Sequence, residues 1–132
     1  AAELRVPNNY QNLIYARSKL VHAGASAGID VIDVPYLDLE DMNGMKKEAE
    51  LVRDLGFTGK GSIHPKQIDI LNKIFTPPKD EIDKAKKIID QFNTSNTGLV
   101  VIDGKLIEKP VLREMQRKIL IADKINKWVF LK

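Results

Sequence analysis

The chain has 132 residues, of which 43% are hydrophobic and 30% charged, and it contains no cysteine. This length fits one ordinary domain at most, and the lack of cysteine excludes disulfides, thiolate nucleophiles and cysteine-ligated metal centres. No apolar run approaches the roughly 20 residues of a membrane span, and no secretory signal pattern opens the sequence. We therefore expect a cytoplasmic protein without a membrane partner.

The net charge is +3, from 21 basic and 18 acidic side chains, and the basic excess lies in residues 105–132. These basic residues are mixed with an apolar helical stripe and lack the interleaved aromatics of nucleic-acid-binding segments. We therefore expect no nucleic-acid partner. A polyanion-binding domain ranks last among three hypotheses, and the diphosphate of coenzyme A (CoA) would fit the same charge.

The first elements follow from hydrophobic spacing. Residues 8–27 place apolar or small side chains at the 3-4-3 spacing of one buried helix face, after a possible N-cap at Asn8 or Asn9. Gly28 ends this helix. Residues 29–34 are rich in β-branched side chains, which predicts a short buried strand, and Pro35 stops its ladder.

The pattern then repeats. A helix is predicted at about 41–55, and the acidic cluster of Asp38, Glu40 and Asp41 before it is best explained as N-caps and dipole partners. A strand follows at 60–63. Pro65 begins the next helix, whose predicted core face is Ile68, Leu71 and Ile74.

The remainder predicts a helix at 79–92, a polar loop at 93–98, a hairpin at 99–107 with an Asp103-Gly104 turn, and a last helix from Pro110. The order is α/β with two strands available for a parallel sheet. Two strands cannot close a core, so we expect the tail of a longer protein, with one domain at 1–92 and a second at 93–132.

Several segments occur together in a recognisable order. The specific combination is a Gly-Lys-x-x-Ile-His-Pro strand followed by a downstream Asp-Gly-Lys-x-Ile-acid-x-Pro; the contributing segments are 1–4, 13–17, 32–33, 36–38, 55–60, 63–67, 75–77 and 101–110. This combination resembles the C-terminal half of the citrate lyase beta-subunit-like proteins, within the HpcH/HpaI aldolase and malyl-CoA lyase superfamily.

The resemblance implies the C-terminal portion of a (β/α)8 TIM barrel: its last two strands and their helices, followed by a hairpin-helix lid. It implies a lyase that cleaves a citryl, malyl or citramalyl thioester to an acetyl thioester and a 2-oxo acid. It also implies Mg²⁺, with both metal ligands upstream of residue 1 and none in this chain. The implied partners are an acyl-CoA or acyl-carrier-protein thioester and a homo-oligomer, trimer or hexamer, whose lid reaches a neighbouring subunit.

Four residues match functional positions of the family. Glu108 matches the lid carboxylate that protonates the acetyl carbon, although the family usually has Asp there, and the alternative is a solvated side chain at a helix start. Ile63 and His64 match the thioester-contacting end of the last strand; alternatively His64 only orders the Pro65 turn. Asp33 matches a position near the pocket, or it forms a satisfied structural pair.

The sequence leaves a non-enzymatic hypothesis open. A truncated barrel tail could serve as a non-catalytic oligomerisation or interaction module, with the lid helix exchanged between subunits. The acyl group, and the choice between CoA and a carrier protein, are not determined by these residues.

Overall fold

The computed structural model describes residues 3–95, 100–102 and 104–129. Two compact units make up the chain, Ala1–Phe75 and Thr76–Lys132. The division lies before the helix at 79–94, whereas the sequence analysis placed it after residue 92. The physical reason is that this helix packs on the last helix of the chain. Compact units are not necessarily domains, so the predicted domain boundary between residues 92 and 93 stays a prediction.

The first unit contains α1 (Tyr10–Ala27), β1 (Ile32–Asp33), α2 (Met42–Leu55), β2 (Gly59–Lys60) and α3 (Pro65–Phe75). The Asn9 side chain accepts a hydrogen bond from the Asn12 N–H at 2.9 Å, which caps the first turn of α1. Gly28 ends the helix in the left-handed conformation with φ of 68°. Both predicted ends of α1 are thus confirmed.

β1 and β2 pair in parallel, with Ile32 opposite Gly59 and Asp33 opposite Lys60. The predicted parallel pair is confirmed, but both strands are shorter than predicted. Beyond the pair, the Gly61 N–H donates to the Asp33 carbonyl at 2.9 Å. Pro35 then has no N–H to offer, so the ladder does not continue. Ile63 therefore lies in the loop after β2 and not in the strand itself.

Helices α2 and α3 enclose the core of the first unit, which consists of Met45, Ala49, Leu71 and Ile74. The predicted helix at about 41–55 is confirmed, and Met45 and Ala49 lie on its inward face. In α3 the prediction of Ile68 as a core residue is wrong, because Gln67 is buried in its place and Ile68 is exposed. The buried face of α3 therefore runs through positions 67, 71 and 74.

The second unit contains α4 (Lys79–Thr94), β3 (Val100–Ile102), β4 (Lys105–Ile107) and α5 (Lys109–Val129). β3 and β4 form an antiparallel hairpin in which Val101 lies opposite Leu106. The hydrophobic core of the second unit includes Ile88 of α4, Ile107 of β4 and Leu112 of α5. The predicted hairpin and last helix are confirmed, while Asp103 of the predicted turn lies outside the described residues.

The fold is a helix-rich α/β arrangement. Within the described ranges the strands form two sheets of two strands each, and no closed barrel is seen. Ile32, expected in a buried strand, is 69% exposed, since in this alternating pair the side chains of Asp33 and Lys60 are the buried ones. The (β/α)8 barrel stays a prediction. Among the described helices, none combines the length and the apolar character that crossing a bilayer would require.

Candidate functional site at the carboxyl ends of the parallel strands

The loops that follow β1 and β2 leave the sheet at the same edge, because the two strands are parallel. In α/β proteins this edge, at the carboxyl ends of the strands, is where ligands bind. The first loop, residues 34–41, leads into α2, and the second, residues 61–64, leads into α3. Both belong to the first unit.

The loop after β2 presents Ile63 and His64. The Ile63 side chain is 51% exposed, and His64 is half-buried. The Lys66 N–H donates to His64 Nδ1 at 3.1 Å. In the neutral imidazole Nε2 therefore carries the proton and is a hydrogen-bond donor. The predicted ordering of the Pro65 turn by His64 is present, and thioester contact by these two residues stays a prediction.

Gln67 of α3 has a fully buried polar side chain that hydrogen-bonds to this loop. Its Oε1 accepts from the Ile63 N–H at 3.0 Å and lies 3.2 Å from Ser62 Oγ. Its Nε2 donates to the Tyr36 carbonyl, in the loop after β1, at 3.0 Å. One amide thus contacts both loops of the site.

Asp33 lies in a buried group of four charges with Arg17 of α1, Glu48 of α2 and Lys60 of β2. Arg17 Nε donates to Asp33 Oδ1 and Arg17 Nη2 to Oδ2, both at 2.9 Å. Lys60 Nζ donates to Asp33 Oδ2 at 2.6 Å, to Glu48 Oε1 at 2.7 Å and to the Val34 carbonyl at 2.8 Å. Both Asp33 oxygens are thus engaged.

This geometry matches the structural alternative for Asp33, a carboxylate with satisfied partners, and substrate binding by Asp33 stays a prediction. Within the described part of the chain, Arg17 Nη1 is buried without a hydrogen-bond partner. The guanidinium carbon of Arg17 lies 5.6 Å from the centroid of the Tyr10 ring, within cation–π range. Tyr10 therefore shares in enclosing this cation.

The loop after β1 is shaped by Tyr36 and Asp41. The Asp41 carboxylate caps α2 by accepting from the Gly44 N–H at 2.8 Å, and it accepts from the Tyr36 hydroxyl at 2.8 Å. That hydroxyl bond raises the pKa of Tyr36 to about 12. The Gly44 bond, followed by the Tyr36 bond, lowers the pKa of Asp41. Asp38 accepts from the backbone N–H groups of Glu40 and Asp41, so two members of the acidic cluster, Asp38 and Asp41, serve as caps, as predicted.

Glu108 belongs to the second unit. It is exposed and directly precedes α5, where its carbonyl accepts from the N–H groups of Val111 at 3.0 Å and Leu112 at 3.2 Å. The predicted position at a helix start is confirmed. The structure therefore places Ile63, His64 and Asp33 in one unit and Glu108 in the other, and the role of Glu108 as an acid stays a prediction.

The described residues do not fit the Mg²⁺ that the resemblance implies. Nowhere in the ranges 3–95, 100–102 and 104–129 do three His, Asp or Glu side chains gather as a metal site. The carboxylates of buried Asp33 and half-buried Glu48 are already paired with Arg17 and Lys60. We therefore derive no chemical step through a metal ion from these residues.

Sequence reasoning missed Gln67 and the pairing of Arg17, Glu48 and Lys60. A signal existed for Gln67, because it stands four residues before Leu71 and seven before Ile74 on the same helix face. Arg17 lies on the buried face of α1, but its partner Asp33 is 16 residues away in sequence and no local pattern links the two.

Together, the fold and the strand-end loops define a parallel α/β protein whose candidate site lies at the carboxyl edge of its sheet. The family model of the HpcH/HpaI aldolase/citrate lyase matches residues 2–65, which include Ile63 and His64 but not Glu108. The similarities below extend over most of the chain. The protein belongs to the HpcH/HpaI aldolase/citrate lyase family.

The chain is 34% identical to the citrate lyase subunit beta of Leuconostoc mesenteroides over 116 residues, covering 86% of this chain and 38% of that protein. It is 32% identical to the mitochondrial citramalyl-CoA lyase of Rattus norvegicus, covering 88% and 35%. The crystal structure of CitE from Mycobacterium tuberculosis with magnesium, acetoacetate and coenzyme A superposes with a TM-score of 0.69 at 25% identity, covering 83% and 40%. The chain thus spans less than half the length of these relatives.

Proposed function

We propose that this chain contributes the thioester-binding part of a carbon–carbon lyase that acts on an acyl-CoA or acyl-carrier-protein substrate. The observation that carries the proposal is the loop after β2, where exposed Ile63 and half-buried His64 stand at the carboxyl end of a parallel strand, within the segment that the family model matches. The names of the relatives, a citrate lyase subunit and a citramalyl-CoA lyase, support the same substrate class.

In this proposal the two residues have different tasks. His64 Nε2–H, directed by the bond from the Lys66 N–H to Nδ1, donates a hydrogen bond to the substrate. The exposed Ile63 side chain packs against the apolar part of the thioester. The Ile63 N–H is not available to the substrate because it donates to Gln67.

The test is titration of the ¹⁵N-labelled chain with acetyl-CoA, with ATP as a control that shares the polyanionic nucleotide but lacks the thioester arm. His64→Asn retains an acceptor for the Lys66 N–H but lacks Nε2–H, so it separates turn ordering from substrate contact. We expect acetyl-CoA to perturb the Ile63 and His64 amides and His64→Asn to weaken binding. The matched variant His22→Asn, on an exposed position of α1, should bind like the wild type.

Equal binding of ATP and acetyl-CoA, with a strong salt dependence, would favour the polyanion-binding hypothesis instead. Unchanged acetyl-CoA affinity in His64→Asn would leave His64 as a turn-ordering residue only.

The finer proposal concerns the reaction. Retro-aldol cleavage of a citryl, malyl or citramalyl thioester leaves an enolate on the acetyl thioester, which must take up a proton at carbon. Glu108, exposed at the start of α5, is the proposed proton donor, delivered to the pocket of a neighbouring subunit in a trimer or hexamer. A cytoplasmic location is part of the same proposal.

Glu108 is tested by lyase turnover of the chain in its native assembly, measured as release of acetyl-CoA. Glu108→Gln should lower turnover by roughly 10²–10⁴-fold, the usual contribution of a general acid. Glu108→Asp should restore much of it, because it keeps the carboxyl. The control Glu114→Gln alters an exposed carboxylate of the same helix that pairs with Lys118. Equal turnover in Glu108→Gln and Glu114→Gln would contradict the role.

A second candidate function is a non-catalytic interaction module. The observation that favours it is a group of three exposed aliphatic side chains, Leu20, Val34 and Leu37, which line one apolar pocket beside β1. Such clustering is typical of a surface that becomes covered. Truncation after residue 105 distinguishes the two functions: loss of the oligomer with unchanged turnover favours the module, and loss of turnover favours the lyase.

A further inference from the structure

We propose that Gln67 is a positioning residue that couples the two strand-end loops and thereby holds Ile63 and His64 in the geometry that binds the thioester. This inference rests on the proposed function for the ligand, but the coupling itself is a separate property of the fold. Gln67 touches neither the proposed substrate nor a reacting atom; it acts through the loops.

The first argument is that the sheet itself stops connecting the two loops at Pro35. Ladder bonding reaches the Gly61 N–H, and a Cβ built on Gly61 would lie 3.0 Å from Pro35 Cγ, so the Gly61 backbone already lies close to the Pro35 ring. Pro35 has no N–H for a further rung. Past this point the described hydrogen bonds that link the loops are those of Gln67.

The second argument is that only a carboxamide satisfies this position. Its oxygen accepts from the Ile63 N–H at 3.0 Å, and its nitrogen donates to the Tyr36 carbonyl at 3.0 Å. If the amide were reversed, its NH2 group would face the Ile63 N–H and its oxygen would face the Tyr36 carbonyl. Only one orientation of the amide is therefore compatible with both hydrogen bonds. Because the side chain is fully buried, an unmade bond here has no water to replace it.

The third argument is that Gln67 contacts residues on both sides of Ile63 in the turn that contains His64. The Gln67 backbone N–H donates to the His64 carbonyl at 3.0 Å. Ser62 Oγ lies 3.0 Å from that carbonyl and 3.2 Å from Gln67 Oε1, so its single proton serves one of two acceptors in the same turn. Of the two residues that flank Ile63, Ser62 thus lies within hydrogen-bond distance of the Gln67 side chain, and His64 is bonded to the Gln67 backbone N–H.

The coupling extends beyond the loop after β1. Tyr36, whose carbonyl accepts from Gln67, also donates its hydroxyl to Asp41 at 2.8 Å, and Asp41 caps α2. A connected path therefore runs from the start of α2 through Tyr36 and Gln67 to Ile63. Displacement of one loop is expected to move the other.

The experiment compares Gln67→Met, which removes both polar groups, with Gln67→Glu, which keeps the acceptor for Ile63 and loses the donor to Tyr36. Ile74→Val is the matched control, because it weakens the same buried face of α3 but removes no hydrogen bond to either loop. Amide hydrogen exchange at Ile63 and the dissociation constant for acetyl-CoA are measured for each variant of the whole chain.

We expect Gln67→Met to speed amide exchange at Ile63 by more than tenfold. We also expect it to weaken acetyl-CoA binding by roughly tenfold, since a shift of about 1 Å in a positioned group can cause a large loss of function. Gln67→Glu should retain most of the Ile63 protection and still weaken binding, because the Tyr36 loop is released. Ile74→Val should change acetyl-CoA binding less than twofold, even if its melting temperature falls as much as that of the Gln67 variants.

Unchanged affinity in both Gln67 variants, or an equal loss in Ile74→Val, would overturn the positioning role. If the wild-type chain does not bind acetyl-CoA, the proposed function fails and the exchange data alone decide the coupling. In that case, faster exchange at Ile63 in Gln67→Met with unchanged exchange in the middle of α2 supports the coupling, and unchanged exchange at Ile63 overturns it. If Gln67→Met does not fold, Gln67→Leu, which also removes both polar groups, serves as the test variant with the same expected and overturning results.

Discussion

Replacing Lys60 by methionine removes the central cation of the buried charge group while keeping a side chain of similar length. The ammonium of Lys60 is fully buried and contacts Asp33, Glu48 and the Val34 carbonyl at 2.6–2.8 Å. Its loss leaves two carboxylates and one guanidinium in the same space. Removing one partner of a buried ion pair costs about 3–5 kcal/mol, and we expect about 3 kcal/mol because Asp33 keeps Arg17.

The assay is urea unfolding at pH 7, followed by far-ultraviolet circular dichroism, with the slope m compared among variants to check that the extent of unfolding is unchanged. The matched control is Lys46→Met. Lys46 pairs with Glu50 at 4.0 Å on the exposed face of α2, and such surface pairs contribute at most about 0.5 kcal/mol. Glu48→Gln, which neutralises a less buried member, should fall between the two.

A loss below about 1 kcal/mol for Lys60→Met, similar to that of Lys46→Met, would refute the reasoning, because it would mean that the two carboxylates are relieved by water and are not enclosed. If Lys60→Met does not fold, the order of Glu48→Gln and Lys46→Met decides the question by the same measurement.

Three further predictions concern caps and cores. Gly44→Ala should destabilise the first unit by about 1–2 kcal/mol in urea despite the better helix propensity of alanine, because its Cβ would overlap the Asp41 carboxylate and the Tyr36 hydroxyl. With a folded pKa of about 12 against 10.0 for free tyrosine, Tyr36 should contribute stability that is complete below pH 10 and declines as pH rises through about 12, and Tyr36→Phe should abolish this part of the pH dependence. Ile107→Ala should cost about 3 kcal/mol of thermal stability in the second unit, against less than about 0.5 kcal/mol for the exposed Leu106→Ala.

Local signals predicted the regular elements well. Asn9 and Gly28 bound α1 as expected, because capping depends on side chains and backbone conformations within a few residues of the helix end. The hairpin at 100–107 was likewise predicted from a turn between two short apolar runs. Pro35 correctly signalled the end of pairing, since its missing N–H is a property of the residue itself.

The candidate site was predictable only in part. The motif located the Ile63-His64 loop, but Gln67, the buried partner of that loop, is polar and was not assigned to the core. Lys60 and Asp33 are buried because each pairs with a charged residue at least 12 positions away in sequence. The local sequence around a polar residue does not reveal the distant partner that stabilises it in the interior. Gln67 displaced Ile68 from the core for the same reason.

The buried charge group has a consequence for the response of the first unit to heat and salt. Its four members sum to zero net charge, and because they are enclosed, added electrolyte screens them little. The hydration that charged groups give up on burial becomes less favourable with rising temperature, so the relative stabilisation from such a group grows on heating. An exposed pair such as Lys118 and Glu81 in the second unit is instead weakened by electrolyte. Ionic strength should therefore reduce the contribution of the Lys118–Glu81 pair to stability more than that of the buried charge group.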